Sequence, residues 1–249
     1  APALHTADVG ISVNTAVDVA KESAAIVMLD RGLEPIVDGV RLGRQTFANT
    51  RKYAFTTISA NFGNMLSMAA ASVVLPFLPL LPRQILLTNF LTDIPSATLA
   101  ADRVDPETSE RPQTWDIRFV RDFMIVFGLV STVFDLLTFG TLRLVFDASA
   151  ELFRSGWFVE SVITELTVLL VLRTRRPFYR SRPGRGLLLS SLAIAVVTLW
   201  LPYSPLSELL GFTSISAPLL LTLGGITVLY VLAAELAKHR FYRAKTGAG

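Results

Sequence analysis

The chain has 249 residues, of which 51% are hydrophobic and 17% charged, against about 25% charged in an ordinary soluble domain. That balance excludes intrinsic disorder, and the long apolar blocks argue against a single water-soluble core. The formal net charge is only +3 and cysteine is absent, which excludes a disulfide scaffold, a thiolate metal site and a cysteine nucleophile.

The chain opens Ala1-Pro2-Ala3-Leu4, with no initiator methionine and no signal-peptide pattern, so it is expected to be a piece of a longer protein. Residues 9–13 (VGISV) predict a short buried strand, Asn14 an N-cap, residues 15–24 a helix, residues 25–29 a second strand and Asp30-Arg31-Gly32 a turn. That order predicts a parallel α/β unit. From Leu33 the apolar residues fall at helical spacing through Ile36, Val37, Val40 and Leu42, beside Arg41, Arg44, Arg51 and Lys52. This pattern predicts a helix that runs directly into a membrane.

Six blocks of membrane-spanning character follow, each near the ~20 apolar residues a span needs. They cover about 53–75, 85–101, 123–145, 157–172, 187–201 and 217–237. Asp93 interrupts the second, Asp135 the third, Glu160 and Glu165 the fourth, and Glu235 stands near the end of the sixth. Basic residues concentrate on alternate loops. Arg51 and Lys52 precede the first block. Arg103, Arg111, Arg118 and Arg121 lie between the second and third, and six arginines from Arg173 to Arg185 between the fourth and fifth. Lys238, Arg240, Arg243 and Lys245 close the chain. Lys and Arg are retained on the cytoplasmic side, so both termini are expected in the cytoplasm. The arginine run, read alone, suits nucleic acid or anionic lipid; its place in the alternation favours topology, with no nucleic-acid partner.

Ionisable and amide side chains at membrane depth mark ion or proton paths. Asn61 and Asn64 share a helix face, and so do Asn89, Thr92 and Asp93. Pro95 follows two positions after Asp93 and leaves the Leu91 carbonyl without its helical partner, which predicts unwound backbone beside Asp93. Amides, a hydroxyl, a carboxylate and freed carbonyls are hard oxygen donors suited to Mg²⁺, Ca²⁺ or Na⁺, and Glu165 adds a second carboxylate. The competing reading is hydrogen bonding between helices. Asp135 is expected to be hydrogen-bonded within its own span, and Glu160 to lie nearer the outer side. His5 and His239 are isolated.

These segments resemble a known family. APALHTADVGISV and AVDVAKESAAIVMLD resemble the end of the phosphorylation domain of P-type ATPases. RLGRQTFANTRKYAFTTISANFGN resembles that family's stalk helix entering its fifth span, and ILLTNFLTDIPSATLAADRVD its sixth span. The resemblance implies a mostly α fold: a six-span transmembrane helix bundle (53–249), preceded by a Rossmann-like α/β remnant (1–32) and a stalk helix (33–52). It implies that Asn61, Asn64, Asn89, Thr92, Asp93 and Glu165 hold a transported cation. It further implies ATP-driven transport through an aspartyl phosphate on an aspartate upstream of this chain, with ATP and Mg²⁺ as cofactors held elsewhere in the protein. This segment alone is then expected to be inactive, and the bilayer and the rest of the pump are its partners, in the plasma membrane. LPFLPLLP, ERPQTWD, FGLVSTVFDLLTF, LFRSGWFV and RTRRPF resemble the magnesium-importing branch. Two positions depart from a single pattern. Asn64 stands where calcium pumps carry a glutamate, and Glu165 stands where the magnesium branch is expected to carry an uncharged polar residue. A Ca²⁺ or other cation pump is therefore the alternative, and a channel, secondary transporter or membrane scaffold the alternative from another class.

Overall fold

The computed structural model describes residues 1–30, 32–110 and 112–246. Arg31 of the expected turn and Arg111 of the basic loop lie outside them. The chain divides into two units, Ala1–Gln45 and Thr46–Gly249.

The first unit holds α1 (Pro2–Thr6), β1 (Ile11–Val13), α2 (Asp18–Glu22) and β2 (Ile26–Met28), and the start of α3 (Glu34–Val74). The two strands pair in parallel with Ile11 opposite Ile26, as the strand–helix–strand order predicts. Three expectations need correction. Asn14 does not cap a helix: its N–H donates to the Met28 carbonyl at 2.8 Å, which prolongs the strand pairing and delays α2 to Asp18. The expected helix over 15–24 is therefore a single turn and a half. The first strand is not buried either, since Val9 and Val13 are exposed and only Gly10 and Ser12 are covered.

The second unit is helical. It contains most of α3, followed by α4 (Pro82–Thr98), α5 (Pro106–Ser109), α6 (Ile117–Gly140), α7 (Ala150–Leu172), α8 (Arg185–Trp200), α9 (Ser207–Leu210) and α10 (Ala217–Thr246). Several helices outrun the apolar blocks that announced them, because their first turns are polar and capped. The Asp116 carboxylate accepts from the Arg118 and Phe119 N–H groups at 2.9 and 3.2 Å and starts α6 early. Ser149 accepts from Leu152 N–H at the start of α7. Four helical segments are long and apolar enough to cross a membrane: Ile117–Val145, Ala150–Leu172, Arg185–Tyr203 and Ala217–Lys245. The α3 and α4 segments carry more polar residues. α7 is the central helix and is buried along most of its length, with α10 packed on α7 and α6, and α4 on α8 and α7. The outer faces of α6, α8 and α10 leave Leu129, Val133, Leu192, Val196, Val228 and Leu232 exposed, an apolar surface that suits lipid.

Two glycines let α3 and α6 approach. A Cβ on Gly63 would sit 2.9 Å from Ser131 Cβ and 3.2 Å from the Gly128 carbonyl, and one on Gly128 would sit 2.4 Å from the Phe62 ring. Such close contacts are typical of helix pairs in membranes.

At one end of the bundle a buried acid ties four segments together. Asp102 Oδ2 accepts from Lys52 Nζ at 2.8 Å and from Arg173 Nη1 at 3.2 Å, while Oδ1 accepts from Gly184 N–H at 2.8 Å. The Asp102 side chain is fully covered and that of Arg173 nearly so. Burial alone would push the Asp102 carboxyl up; the Lys52 ammonium, the Gly184 N–H and Arg173 together outweigh it and hold the carboxyl below its usual range. Burial also holds the Lys52 ammonium below the ordinary lysine value, with Asp102 pulling the other way. Arg173, counted in the sequence as a loop charge, is thus part of the packed interior. A second cation acts similarly: Lys238 Nζ donates to the Val171 and Arg176 carbonyls at 2.9 and 2.8 Å, satisfying acceptors at the end of α7.

Candidate cation site

The polar residues singled out in the sequence lie on α3, α4 and α7, and the fold gathers three of them closely. Asn64 Nδ2 donates to Glu165 Oε2 at 3.4 Å. The Thr92 hydroxyl also faces the Glu165 carboxylate, and it lies 3.4 Å from the Asn89 carbonyl. Helical periodicity does this work: Asn64 on α3 and Glu165 on α7 sit where the two helices face each other, and Thr92 closes the triangle from α4.

Asn64 is the hub of two adjoining cavities. One is lined by Asn64, Glu165, Ser131, Ser161, Thr164 and Tyr230, among others, and is rich in hydroxyl oxygens. The other is lined by Asn64, Asn89, Thr88, Ser161 and Trp157 with apolar neighbours. Asn89 therefore shares a cavity wall with Asn64 although its own residue surface is largely exposed.

Asn61 and Asp93 are not drawn into this cluster. Both are exposed, and Asp93 acts on Glu165 only through its charge. The unwound backbone expected beside Asp93 is absent. α4 continues through Pro95 to Thr98 and then tightens into a 3-10 turn at Leu99–Ala101. Proline's fixed φ is helical, so Pro95 removes one N–H without forcing a break, and the packing of α4 against α7 and α8 holds the helix together.

The sequence reading of Asp135 also changes. Its carboxylate is bonded across helices and not within its own span. Oδ2 accepts from Ser67 Oγ of α3 at 2.6 Å, and Oδ1 from Trp157 Nε1 of α7 at 2.9 Å. Glu160 is fully buried in the interior and lies against Asp135. The spacing of Trp157 and Glu160 at i and i+3 is a sequence signal that both belong to one inward face.

Among the described residues, no three His, Cys, Asp or Glu side chains converge as a metal site. A cation at Asn64, Thr92 and Glu165 would be held by one carboxylate with amide, hydroxyl and water oxygens. All are hard donors, matched to an alkaline-earth ion and not to a soft metal.

Long apolar helices, a lipid-suited outer surface and a polar cluster between helices define a multi-pass membrane protein with an ion-compatible interior. Residues 77–240 match the family described as cation transporting ATPase, C-terminus, and the chain belongs to that family. Over 252 aligned positions, covering 99% of the chain, it is 40% identical to the magnesium-transporting ATPase, P-type 1, of Salmonella typhimurium. The same identity and coverage hold for the protein of that name from Escherichia coli K12. The chain spans 28% of the length of each. A calcium-transporting ATPase of Bacillus subtilis is 35% identical over 113 residues, covering 45% of this chain and 13% of that protein.

Proposed function

We propose that the chain is the C-terminal membrane part of a P-type ATPase that imports Mg²⁺. The observation that carries this is the 40% identity along essentially the whole chain to proteins named as magnesium-transporting. In this reading residues 1–32 are the end of a Rossmann-like phosphorylation domain, 33–52 a stalk helix and 53–249 six spans, with both termini cytoplasmic and the protein in the plasma membrane. The basic-residue alternation supports the orientation. The α3 and α4 segments count as spans because a pump's ion path tolerates polar residues that a lipid-facing helix does not.

Asn61, Asn64, Asn89, Thr92, Asp93 and Glu165 are the proposed cation ligands. Asn64, Thr92 and Glu165 form the part supported by contact, and Asn61 and Asp93 the part supported by resemblance. Mg²⁺ dehydrates reluctantly and keeps several waters, which suits a site with few carboxylates. ATP is bound and hydrolysed by regions outside this chain, and the proposed role of α3 is to pass the phosphorylation state to the cluster. A Ca²⁺ pump is the second reading, favoured by one observation: the carboxylate of Glu165 stands at the centre of the contacts.

The test is ATP-driven uptake of Mg²⁺ and Ca²⁺, measured side by side in vesicles holding the complete protein. Mg²⁺ uptake that disappears in Asp93→Asn and is weakened severalfold in Asn64→Ala is expected. Ca²⁺ uptake abolished by Glu165→Gln would select the second reading. Full Mg²⁺ uptake in Asp93→Asn would remove that residue from the site.

A further inference from the structure

Two acids outside the proposed ligand set meet inside the bundle. Asp135 is on α6 and Glu160 on α7, in two of the segments long and apolar enough to span a membrane. They are 3% and 2% exposed, Trp157, one turn from Glu160 on α7, bonds Asp135 at 2.9 Å, and the two carboxyl groups face each other within hydrogen-bonding reach. Two carboxylates cannot share a hydrogen bond without a proton between them.

The surroundings say where that proton sits. Asp135 already accepts from two donors, Ser67 Oγ and Trp157 Nε1. An indole N–H can only donate, so Oδ1 is an acceptor, and with Ser67 Oγ donating to Oδ2 both oxygens are engaged as acceptors, which favours the carboxylate at Asp135. Glu160 has no such support: its Oε2 is buried without a hydrogen-bond partner. An ionised carboxylate in that position would leave a charge desolvated and unsatisfied, which is far costlier than leaving one oxygen of a neutral acid unpaired.

No counter-charge is available. Among the described residues the ion pairs involve neither acid. α10 contributes Tyr230, a phenol that shares a cavity with Ser131 and lies within electrostatic range of both acids. α7 contributes Glu165, a further acid acting on the Asp135 side. α3 contributes the Ser67 hydroxyl, and Asp93 of α4 acts on Glu165 and not on the pair. The facing groups are thus neutral or acidic, and two like charges side by side at this depth would be uncompensated.

We propose that Asp135 and Glu160 form a proton-binding site within the membrane, holding one proton between them, with Glu160 as the acid that donates to Asp135. Each Asp135 oxygen already accepts one hydrogen bond, from the Trp157 N–H or the Ser67 O–H, which leaves fewer lone pairs for a divalent cation than an open carboxylate offers. The inference does not rest on which ion the protein transports. Its ligand is the proton, and neither acid is one of the proposed ligands, although Glu165, which is, stands five residues along α7 from Glu160.

The test is an infrared difference spectrum of the complete protein in detergent near neutral pH, wild type minus Glu160→Gln. A carboxylic-acid carbonyl band that shifts in deuterium oxide is expected in the wild type and lost in the variant. Asp135→Asn should keep that band at a displaced frequency, since Glu160 retains its proton but changes its partner. Added Mg²⁺ should leave the wild-type band in place. Absence of the band from the difference spectrum overturns the proposal, and so does its disappearance on adding Mg²⁺, which would make the pair a metal site. The amide introduced by Glu160→Gln donates to Asp135 as the protonated acid does, so failure of this variant to fold also counts against the proposal. The band is read without transport, so an altered ion preference and a missing proton are separate results.

Discussion

Asp102 shows what a single buried side chain holds together. Its carboxylate joins the middle of α3 through Lys52, the end of α7 through Arg173 and the start of α8 through the Gly184 N–H. Removing one partner from a buried pair typically costs about 3–5 kcal/mol, because the remaining charge stays desolvated. Asp102→Asn is expected to lower the unfolding temperature of the complete protein clearly, more than Glu107→Gln, whose partner Arg176 is at the surface. The pH dependence has a definite sign. The folded-state value of Asp102 is depressed, so its contribution is fully present above the ordinary carboxylate value and is lost as pH falls through the depressed one. Unfolding scans at decreasing pH should show an acid limb in the wild type that is smaller in Asp102→Asn; equal limbs would remove Asp102 from that role. None of this was legible in the sequence. Arg173 reads as a loop charge and Asp102 draws no reading of its own, because neither periodicity nor composition reveals a partner 71 positions away.

Among the elements, the α3–α6 crossing and the α4–α9 contact are the most exacting. Gly63 faces Ser131 Cβ and a backbone carbonyl, whereas Gly128 faces the side chain of Phe62, which can swing aside. Gly63→Ala is therefore expected to cost more than Gly128→Ala, within the ~1–3 kcal/mol typical of overpacking. Gly140→Ala meets nothing within 4 Å and should be neutral or slightly stabilising. Thermal unfolding of the three variants gives the order, and an equal effect at Gly63 and Gly140 would contradict the close approach. At the other contact, Gln84 is fully buried. Its Nε2 donates to the Leu210 and Gly211 carbonyls at 3.1 and 3.0 Å, and its Oε1 accepts from Leu81 N–H at 2.9 Å. Gln84→Leu should destabilise by about 1–3 kcal/mol, since it leaves buried backbone groups unpaired; unchanged stability would show water replacing the amide. The helices themselves were legible, because apolar blocks at helical spacing are a strong signal. Their ends were not. Asp116 and Ser149 extend α6 and α7 beyond the apolar residues, Asn14 is taken by β2, and tertiary packing keeps α4 whole at Pro95.

On the scale of the whole molecule, the outer surface has to match its solvent. Leu192 on α8 and Leu232 on α10 are both well exposed, which in water would favour aggregation and in lipid needs no compensation. A lysine at the centre of a spanning helix costs about 2.5–3.5 kcal/mol on insertion. Leu192→Lys is expected to reduce the fraction of protein that resists alkaline extraction from membranes, while Thr222→Lys, near the start of α10, should do so less. Equal extraction of both variants and the wild type would argue that α8 does not face lipid. The same asymmetry separates the three tryptophans. Trp115 and Trp200 are about half exposed, while Trp157 is 1% exposed with its indole N–H against Asp135. The protein therefore carries a built-in optical reporter. Replacing Trp115 and Trp200 with phenylalanine would leave one fluorophore whose emission tracks the electrostatic state of a single carboxyl group in the interior.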